Sequence, residues 1–308
     1  MSEPGAKTER WDGLLERFLR YLGSVRNLSD NTVRSYRCDL EGFLSWCRRC
    51  GTDPAALGPA DVRAYLGELR RARYAGRTVS RRLSALRTFY GWLEREGVVE
   101  GNVAAAAASP KLARTLPEVL DDAQARALIA AADTSCAEGL RDAAQAELMY
   151  ASGARIAEVA ALSTGDVDLE SGTVRLFGKG SKERLVPLYP AACRAVEAYL
   201  EHGRPQLAAK GKRVTNVLFL SARGNPMSAD TLRLRFERLA AAAGLPASVT
   251  PHAMRHTFAT ELLSGGADLR SVQELLGHAS ISTTQVYTHL SVDRLKEASL
   301  QANPRSGR

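Results

Sequence analysis

Apolar side chains recur at helical spacing along the first hundred residues of the chain. The stretches 28–50, 61–74 and 78–95 each place apolar or aromatic residues three and four positions apart, which is the spacing of one helix face. Gly97 follows the third stretch and is a typical helix stop. The pattern therefore predicts a small, all-helical domain over residues 10–105.

The helical pattern is interrupted in an alanine-rich stretch, 101–117, which contains Pro110 and Pro117 and no aromatic residue. Proline interrupts a helix because it lacks a backbone N–H and clashes with the preceding turn. We therefore predict a linker over residues 106–117.

Beyond the linker, helical spacing alternates with short runs of β-forming residues. Two such runs flank GKGSKE within 173–188, which predicts a β-hairpin with glycines at its tip, and VLFL at 217–220 is a candidate third strand. Helices are predicted over residues 121–132, 137–151, 228–243, 251–264 and 268–276. The predicted fold class is mainly α with two domains. The second domain, 118–300, carries a small antiparallel β-sheet and is followed by a polar tail, 301–308.

Composition narrows the class of protein without identifying a function. The chain has 308 residues, of which 45% are hydrophobic and 25% charged, as in a globular protein long enough for two cores. Its formal net charge of +8 weakly indicates a polyanionic partner. The first residues are polar, no apolar run reaches the roughly 18 residues that a membrane span needs, and the five cysteines are scattered. We therefore expect a cytoplasmic protein with reduced thiols and no membrane partner.

The stretch TPHAMRHTF combines helix-start signals with two histidines. Thr250 can cap a helix and Pro251 suits its first position. His252 then lies in the first turn, where free backbone N–H groups attract anions, and Arg255 lies on the same face. The spacing of His252 and His256 suits zinc, but the arginine between them would repel a metal ion and suits a phosphate, which it can grip with two hydrogen bonds. By itself the stretch leaves a phosphate site, a metal site and an ordinary helix open.

Five further positions could contribute to a phosphate site, and each also has an ordinary explanation. Arg155 and Glu158 stand one turn apart and could equally form a solvated ion pair. Lys179, at the predicted hairpin tip, could be a solvated turn lysine. His278 projects from a turn, and Tyr287 follows it in the next predicted helix, where a half-buried aromatic residue would be ordinary.

As a set, two arginines, two histidines, a lysine and a tyrosine are what phosphodiester transesterification requires when no metal ion takes part. Attack on the phosphodiester adds negative charge to the non-bridging oxygens, and fixed cationic donors stabilise that charge more than they stabilise the ground state. The leaving 5′ oxygen needs a proton, which a lysine can deliver. A phenol is a suitable nucleophile because its phosphate ester can be reversed by a DNA hydroxyl.

The motifs resemble those of the tyrosine recombinase (phage integrase) family, and most closely those of its Xer members. The matching segments are ASGARIAEV, GKGSKERLVPL, HAMRHTFAT, LLGH and TTQVYTHL, in the family's order and close to its usual spacing. The resemblance covers about residues 10–300. Two departures, Met254 where leucine is common and Glu261 where histidine often occurs, do not touch a catalytic position.

The resemblance implies a role for the residues that would surround the phosphate. Arg155 and Arg255 would clamp it, and His252 would bind it and assist proton transfer. Glu158 matches an acidic position that supports the site by orienting its basic groups.

The resemblance also implies the residues that would make and break bonds. Tyr287 would be the nucleophile, leaving a 3′-phosphotyrosyl link and a free 5′ hydroxyl. Lys179 would protonate that leaving 5′ oxygen, and His278 would donate to a non-bridging oxygen. The implied chemistry uses no cofactor and no metal ion.

The family fold implies a C-shaped clamp around duplex DNA, made by a helical, SAM-like core-binding domain and a catalytic domain. The stretch 70–87 supports DNA binding because it holds seven arginines and no acidic residue, although a solvated basic face is the alternative. The candidate DNA contacts from this stretch and from 228–243 are Arg77, Arg81, Arg82, Arg87, Arg233 and Arg235.

The resemblance finally implies partners and a cellular role. The partners are a duplex DNA recombination site and a tetrameric synapse of like protomers or of a paired homologous recombinase. A Xer-type role in resolving chromosome dimers at cell division would place the protein at the nucleoid and would leave a septal DNA translocase as a further partner. Two alternatives stay open: a phage or mobile-element integrase with the same chemistry, and a non-catalytic architectural DNA-binding protein.

Overall fold

The chain divides into two compact units, Met1–Thr115 and Leu116–Arg308. The structure is a computed structural model that describes residues 4–110, 119–178 and 183–277. None of the helices in these ranges combines the length and the apolar character needed to cross a membrane.

The first unit is all-helical, as predicted. Its helices are α1 (Pro4–Ser24), α2 (Asp30–Cys50), α3 (Pro59–Arg71) and α4 (Gly76–Arg95), with a short 3₁₀ turn at Pro54–Ala56. Helix α2 begins after Ser29, whose hydroxyl accepts a hydrogen bond from the N–H of Thr32, and ends at Gly51 with φ +64°. A left-handed φ at this position is accessible to glycine without steric cost.

Helix α1 was not among the predicted helices, although its sequence carries the signal. Trp11, Leu15, Phe18 and Leu22 are spaced four, three and four residues apart, and all four are buried. They pack into an aromatic core, in which the rings of Phe18 and Phe89 lie 5.0 Å apart.

The first unit extends into the predicted linker. Ala104 and Ala107 are buried in its core, and the Arg87 guanidinium donates to the backbone carbonyls of both residues. It also donates to the hydroxyl of Ser109 at 3.3 Å. The packed structure therefore continues past residue 105, where the predicted domain ended.

The second unit is mainly helical with a small antiparallel sheet, which confirms the predicted fold class. Its helices are α5 (Asp122–Ala130), α6 (Ala137–Ser152), α7 (Ile156–Ala161), α8 (Pro190–Ala198), α9 (Arg204–Ala208), α10 (Ala229–Ala242), α11 (Pro251–Ser264) and α12 (Leu269–Leu276). The strands are β1 (Val167–Asp168), β2 (Thr173–Phe177) and β3 (Glu183–Pro187), in the order β1-β2-β3. Helices α8 and α9, joined by a π-helical turn at Tyr199–Gly203, were not predicted.

The predicted pairing of the two β-forming runs is present, and their side chains alternate between the core and solvent. Strands β2 and β3 pair in the register Val174↔Val186 and Phe177↔Glu183. Val174 and Val186 face the core, whereas Phe177 is 45% exposed.

The assignment of 217–220 as the third strand is wrong. The third strand is β1, and Val217 makes only an isolated bridge to Ser163. The backbone groups of the run pair with several separate partners: the Leu218 N–H donates to the Leu162 carbonyl, and the buried Tyr199 hydroxyl donates to the Leu218 carbonyl at 3.1 Å and accepts from the Leu220 N–H at 3.1 Å. A side chain thus satisfies backbone groups that a neighbouring strand would otherwise pair.

Candidate active site

Helix α11 begins as its sequence predicts. The Thr250 hydroxyl accepts from the Ala253 N–H, and Pro251 occupies the first turn. His252 is exposed in that turn, whereas Arg255, one turn further, is only 8% exposed. The helix therefore presents a solvent-facing imidazole and holds a guanidinium beneath the surface.

Arg255 is held by two backbone carbonyls from distant segments. Its Nη1 donates to the Gly153 oxygen at 2.6 Å, and its Nη2 donates to the Leu276 oxygen at 2.5 Å. Burial and then the neighbouring charge of Arg155 lower the pKa of Arg255 to about 10. The group therefore stays cationic at neutral pH.

The turn between α6 and α7 places Arg155 beside Arg255. Gly153 ends α6 with φ +57°, and a Cβ atom on it would lie 2.3 Å from the ring of Phe258. Only glycine allows this close approach. Arg155 then precedes α7, with its side chain 42% exposed and its Nη2 3.4 Å from the Gly277 carbonyl.

Glu158 is buried, so its interpretation as half of a solvated ion pair is wrong. Its Oε2 accepts from the Arg155 backbone N–H at 2.8 Å, and its Oε1 accepts from Arg155 Nη1 at 2.9 Å. A second guanidinium, Arg184 on β3, donates to both carboxylate oxygens at 3.1 and 2.7 Å. Glu158 therefore joins two arginines from different elements.

The pKa of Glu158 reflects two opposing effects. Burial raises it, but the hydrogen bonds from Arg184 and Arg155 outweigh burial, so the pKa of Glu158 lies below its ordinary value. The carboxylate is therefore ionised at neutral pH and can hold both guanidinium groups.

Sequence reasoning missed Arg184. Its side chain is 5% exposed, and its Nε donates to the Leu275 carbonyl at 2.6 Å. A signal was available, because Arg184 stands two residues before Val186 and strand alternation puts both on the core face. A charged residue at a core-facing strand position needs a buried partner.

Three guanidinium groups converge on the end of α12. Arg184, Arg255 and Arg155 donate in turn to the carbonyls of three consecutive residues: Leu275, Leu276 and Gly277. The C-terminal carbonyls of a helix carry partial negative charge and attract cations. The three positive groups are therefore concentrated immediately before position 278.

Three of the predicted catalytic residues are not placed. Lys179, His278 and Tyr287 lie outside the described residues, between or beyond segments that are described. Among the described residues, no three His, Cys, Asp or Glu side chains are grouped in a way that could hold a metal ion.

The candidate DNA contacts of the first unit differ in how they are held. Arg81 is half exposed and pairs with buried Asp39 at 2.5 Å. Arg82 is 14% exposed and stacks on the Tyr74 ring, with 4.4 Å from its guanidinium carbon to the ring centroid. Arg77 is exposed near the start of α4.

The two candidate DNA contacts on α10 also differ in their exposure and in their partners. Arg233 is exposed and lies 3.3 Å from the exposed Asp230. Arg235 is one third exposed and pairs with buried Asp142, which also accepts from Arg141. Arg235, like Arg87 in the first unit, is thus engaged in internal packing, whereas Arg233 and Arg77 face solvent.

Comparison with known proteins identifies the family. The phage integrase family profile matches residues 118–294, and the profile of the phage integrase N-terminal SAM-like domain matches residues 15–97. The chain is 42% identical over 300 residues to the tyrosine recombinase XerC of Pelotomaculum thermopropionicum, covering 95% of this chain and 98% of that protein. It is also 42% identical over 294 residues to the tyrosine recombinase XerD of Yersinia pestis, with coverage of 95% and 98%. Among solved structures, it is similar to the Tn1549 transposon integrase in complex with circular intermediate DNA, with a TM-score of 0.69, 21% identity, and coverage of 92% of this chain and 98% of that one. The chain therefore belongs to the phage integrase family, and it is a tyrosine recombinase.

Proposed function

We propose that the protein cuts and rejoins duplex DNA at a specific site, with Tyr287 as the nucleophile. The observation that carries the proposal is the convergence of Arg155 and Arg255 at one place, from the start of α7 and from α11. Arg255 and Arg155 donate to the carbonyls of Leu276 and Gly277, the two residues that precede His278. A short stretch of sequence connects His278 to Tyr287.

The two arginines supply charge where the reaction develops it. As the Tyr287 oxygen bonds to phosphorus and the bond to the 5′ oxygen breaks, the non-bridging oxygens gain negative charge. A charge pair at 4 Å is worth about 4 kcal/mol at an effective dielectric constant near 20. Arg155, which is partly exposed, and Arg255, which is buried and cationic, would therefore stabilise the transition state more than the ground state.

The remaining roles concern protons and follow from the family resemblance. Lys179 protonates the leaving 5′ oxygen, His252 binds the phosphate and assists proton transfer, and His278 donates to a non-bridging oxygen. The exposed position of His252 in the first turn of α11 supports its access to a bound phosphate. No step requires a cofactor or a metal ion.

Duplex DNA is the proposed partner of a core-binding domain, 10–105, and of a catalytic domain, 118–300. The basic stretch 70–87 supports a DNA contact in the first domain. Of the candidate arginines, Arg77 and Arg233 have the exposure that a phosphate contact requires. The partly paired Arg81 could exchange Asp39 for phosphate.

A Xer-type role in chromosome-dimer resolution at cell division is the cellular function that we propose. It is supported by 42% identity, over nearly the whole chain, to relatives named XerC and XerD. The role implies action in the cytoplasm at the nucleoid, in a tetrameric synapse with like protomers or a paired recombinase, and a septal translocase as a further partner. A mobile-element integrase is the rival, supported by fold similarity to the Tn1549 integrase.

A trapping experiment tests the chemistry. Duplex sites are first selected by the protein from fragments of its own genome, and a nick near the cleavage point lets the short cleaved strand diffuse away. We expect a covalent protein–DNA adduct on a denaturing gel that persists with chelator present and is absent in Tyr287→Phe.

Tyr150→Phe is the matched control, because Tyr150 is a buried tyrosine of the same unit whose hydroxyl bonds to Glu261. It should retain the adduct. Site-specific binding without any adduct would favour an architectural protein, and cleavage that chelator abolishes while Tyr287→Phe preserves it would point to a metal enzyme.

A further inference from the structure

Arg184, the buried arginine on strand β3, contacts both the Glu158 carboxylate and the end of α12. We infer that Arg184 is a positioning residue for DNA cleavage: it acts through Glu158 on the Arg155 guanidinium, and through the Leu275 carbonyl on the end of α12. The inference rests on the proposed function, because it assigns a task within that reaction.

The first connection sets both the place and the charge of Arg155. Arg184 donates to the two Glu158 oxygens at 3.1 and 2.7 Å, while Arg155 Nη1 shares Oε1 at 2.9 Å. The three groups together carry one net positive charge. Without Arg184, Glu158 would pair with Arg155 alone, and the pair would present no net charge to a phosphate.

The second connection fixes the end of α12. Arg184 Nε donates to the Leu275 carbonyl at 2.6 Å. Gly277, with φ +64°, lies against the same guanidinium, since a Cβ atom on Gly277 would be 3.0 Å from Arg184 Nη1. The backbone turn that precedes His278 therefore rests directly on Arg184.

The geometry requires the planar guanidinium as well as a positive charge. Arg184 uses three nitrogens in a fixed fork: Nε for the carbonyl, and Nη1 and Nη2 for the carboxylate. A lysine ammonium at this position would keep the charge but could not satisfy both partners from one plane. Arg184→Lys should therefore fold and yet position Arg155 poorly.

The experiment compares two substrates at saturating DNA in single turnover. One has a normal scissile phosphate, and the other has a methylphosphonate at the same position, in which a methyl group replaces one non-bridging oxygen and leaves one negative charge fewer for the arginines to stabilise. The variants are Arg184→Lys and Arg184→Met. Arg175→Met is the matched control, because Arg175 lies on the neighbouring strand β2 and faces solvent.

We expect both Arg184 variants to lower the rate of adduct formation on the phosphate substrate by about 10- to 100-fold, as losses of supporting hydrogen bonds around catalytic groups do. On methylphosphonate the loss should be smaller by about tenfold, because the transition state then carries one negative charge fewer for Arg155 to stabilise. The dissociation constant of Arg184→Lys for DNA should stay near that of the wild type, its melting curve should show a folded protein at the assay temperature, and Arg175→Met should cleave at the wild-type rate.

Two outcomes would overturn the inference while leaving the proposed function intact. One is a wild-type rate in Arg184→Lys, and the other is an equal loss on both substrates, which would mean that Arg184 only supports the fold. A wild-type protein that forms no Tyr287-dependent adduct would overturn the proposed function itself. If Arg184→Met does not fold, the double variant Glu158→Gln/Arg184→Met replaces it, because that variant removes both buried charges. The rate loss of the double variant should again be smaller on methylphosphonate than on phosphate.

Discussion

Replacing Glu158 with glutamine tests how much the buried ion pair stabilises the second unit. The substitution preserves the size of the side chain, but it removes the charge and points an amide NH₂ group at guanidinium donors. Glu158 accepts four hydrogen bonds at 2.7 to 3.1 Å, from Arg184 and Arg155. The variant therefore leaves donors of Arg184 buried without an acceptor.

The magnitude follows from the different exposure of the two partners. Arg155 is 42% exposed, so its pair with Glu158 contributes at most about 1 kcal/mol. Arg184 and Glu158 are both 5% exposed, and breaking a buried pair on one side costs about 3–5 kcal/mol. The loss should therefore come almost entirely from the pair with Arg184, and it should lower the melting temperature of the second unit by about 6–20 °C.

The chain offers an internal control for this measurement. All three tryptophans, Trp11, Trp46 and Trp92, lie in the first unit. Tryptophan fluorescence therefore follows unfolding of the first unit, whereas circular dichroism follows both units. Glu158→Gln should shift the dichroism transition to lower temperature and leave the fluorescence transition in place.

The effect should also depend on pH with a defined sign. Because the pKa of Glu158 is lower in the folded protein than in the unfolded chain, its contribution is present above the unfolded pKa and is lost as the pH falls through the folded pKa. Wild type and variant should therefore converge in acid. If Glu158→Gln lowers the free energy of unfolding by less than about 1 kcal/mol at neutral pH, the ion pair behaves as a solvated one and its burial does not strengthen it.

Two further predictions concern backbone fit and titration in the same unit. Gly153→Ala should destabilise the protein by about 1–3 kcal/mol more than Gly244→Ala, because both positions have positive φ but only Gly153 has an aromatic ring where the new methyl would lie. Urea unfolding measures both variants, and equal losses would contradict the clash. Burial raises the pKa of Glu261 to about 7 despite its hydrogen bond from Tyr150, so stability from this group is present at low pH and is lost as the pH rises from about 4.5 to about 7. In Glu261→Gln, the free energy of unfolding in urea should no longer fall between pH 5 and pH 8 because of this group. If the variant and the wild type show the same pH dependence, the pKa of Glu261 is not raised.

Local signals predicted most of the described helices, including the one that carries His252 and Arg255. The start of α11 follows from Thr250 and Pro251, and the positions of His252 and Arg255 follow from that start. The hairpin was predicted because glycines at its tip separate two β-forming runs. Helix α1 carried the same kind of signal and was missed.

Predictions that depended on long-range partners were less successful. The apolar run 217–220 predicts a strand, but its backbone groups pair with several separate partners, which include the Leu162 carbonyl and the Tyr199 hydroxyl. Charge alone did not separate Arg77, which is exposed, from Arg87, which binds carbonyls of its own unit. How far an arginine is exposed depends on which neighbours the fold brings beside it.

The sequence by itself determined the family and the helical character of both units and supplied the candidate residues for the chemistry, because periodicity, caps and motif spacing are local properties of the chain. Only the tertiary structure revealed that Glu158 is buried between Arg155 and Arg184, and that three guanidinium groups meet at the end of α12. The buried contacts among these join residues up to 91 positions apart. Their strength depends on exclusion of water, which packing decides and which no single segment of sequence encodes.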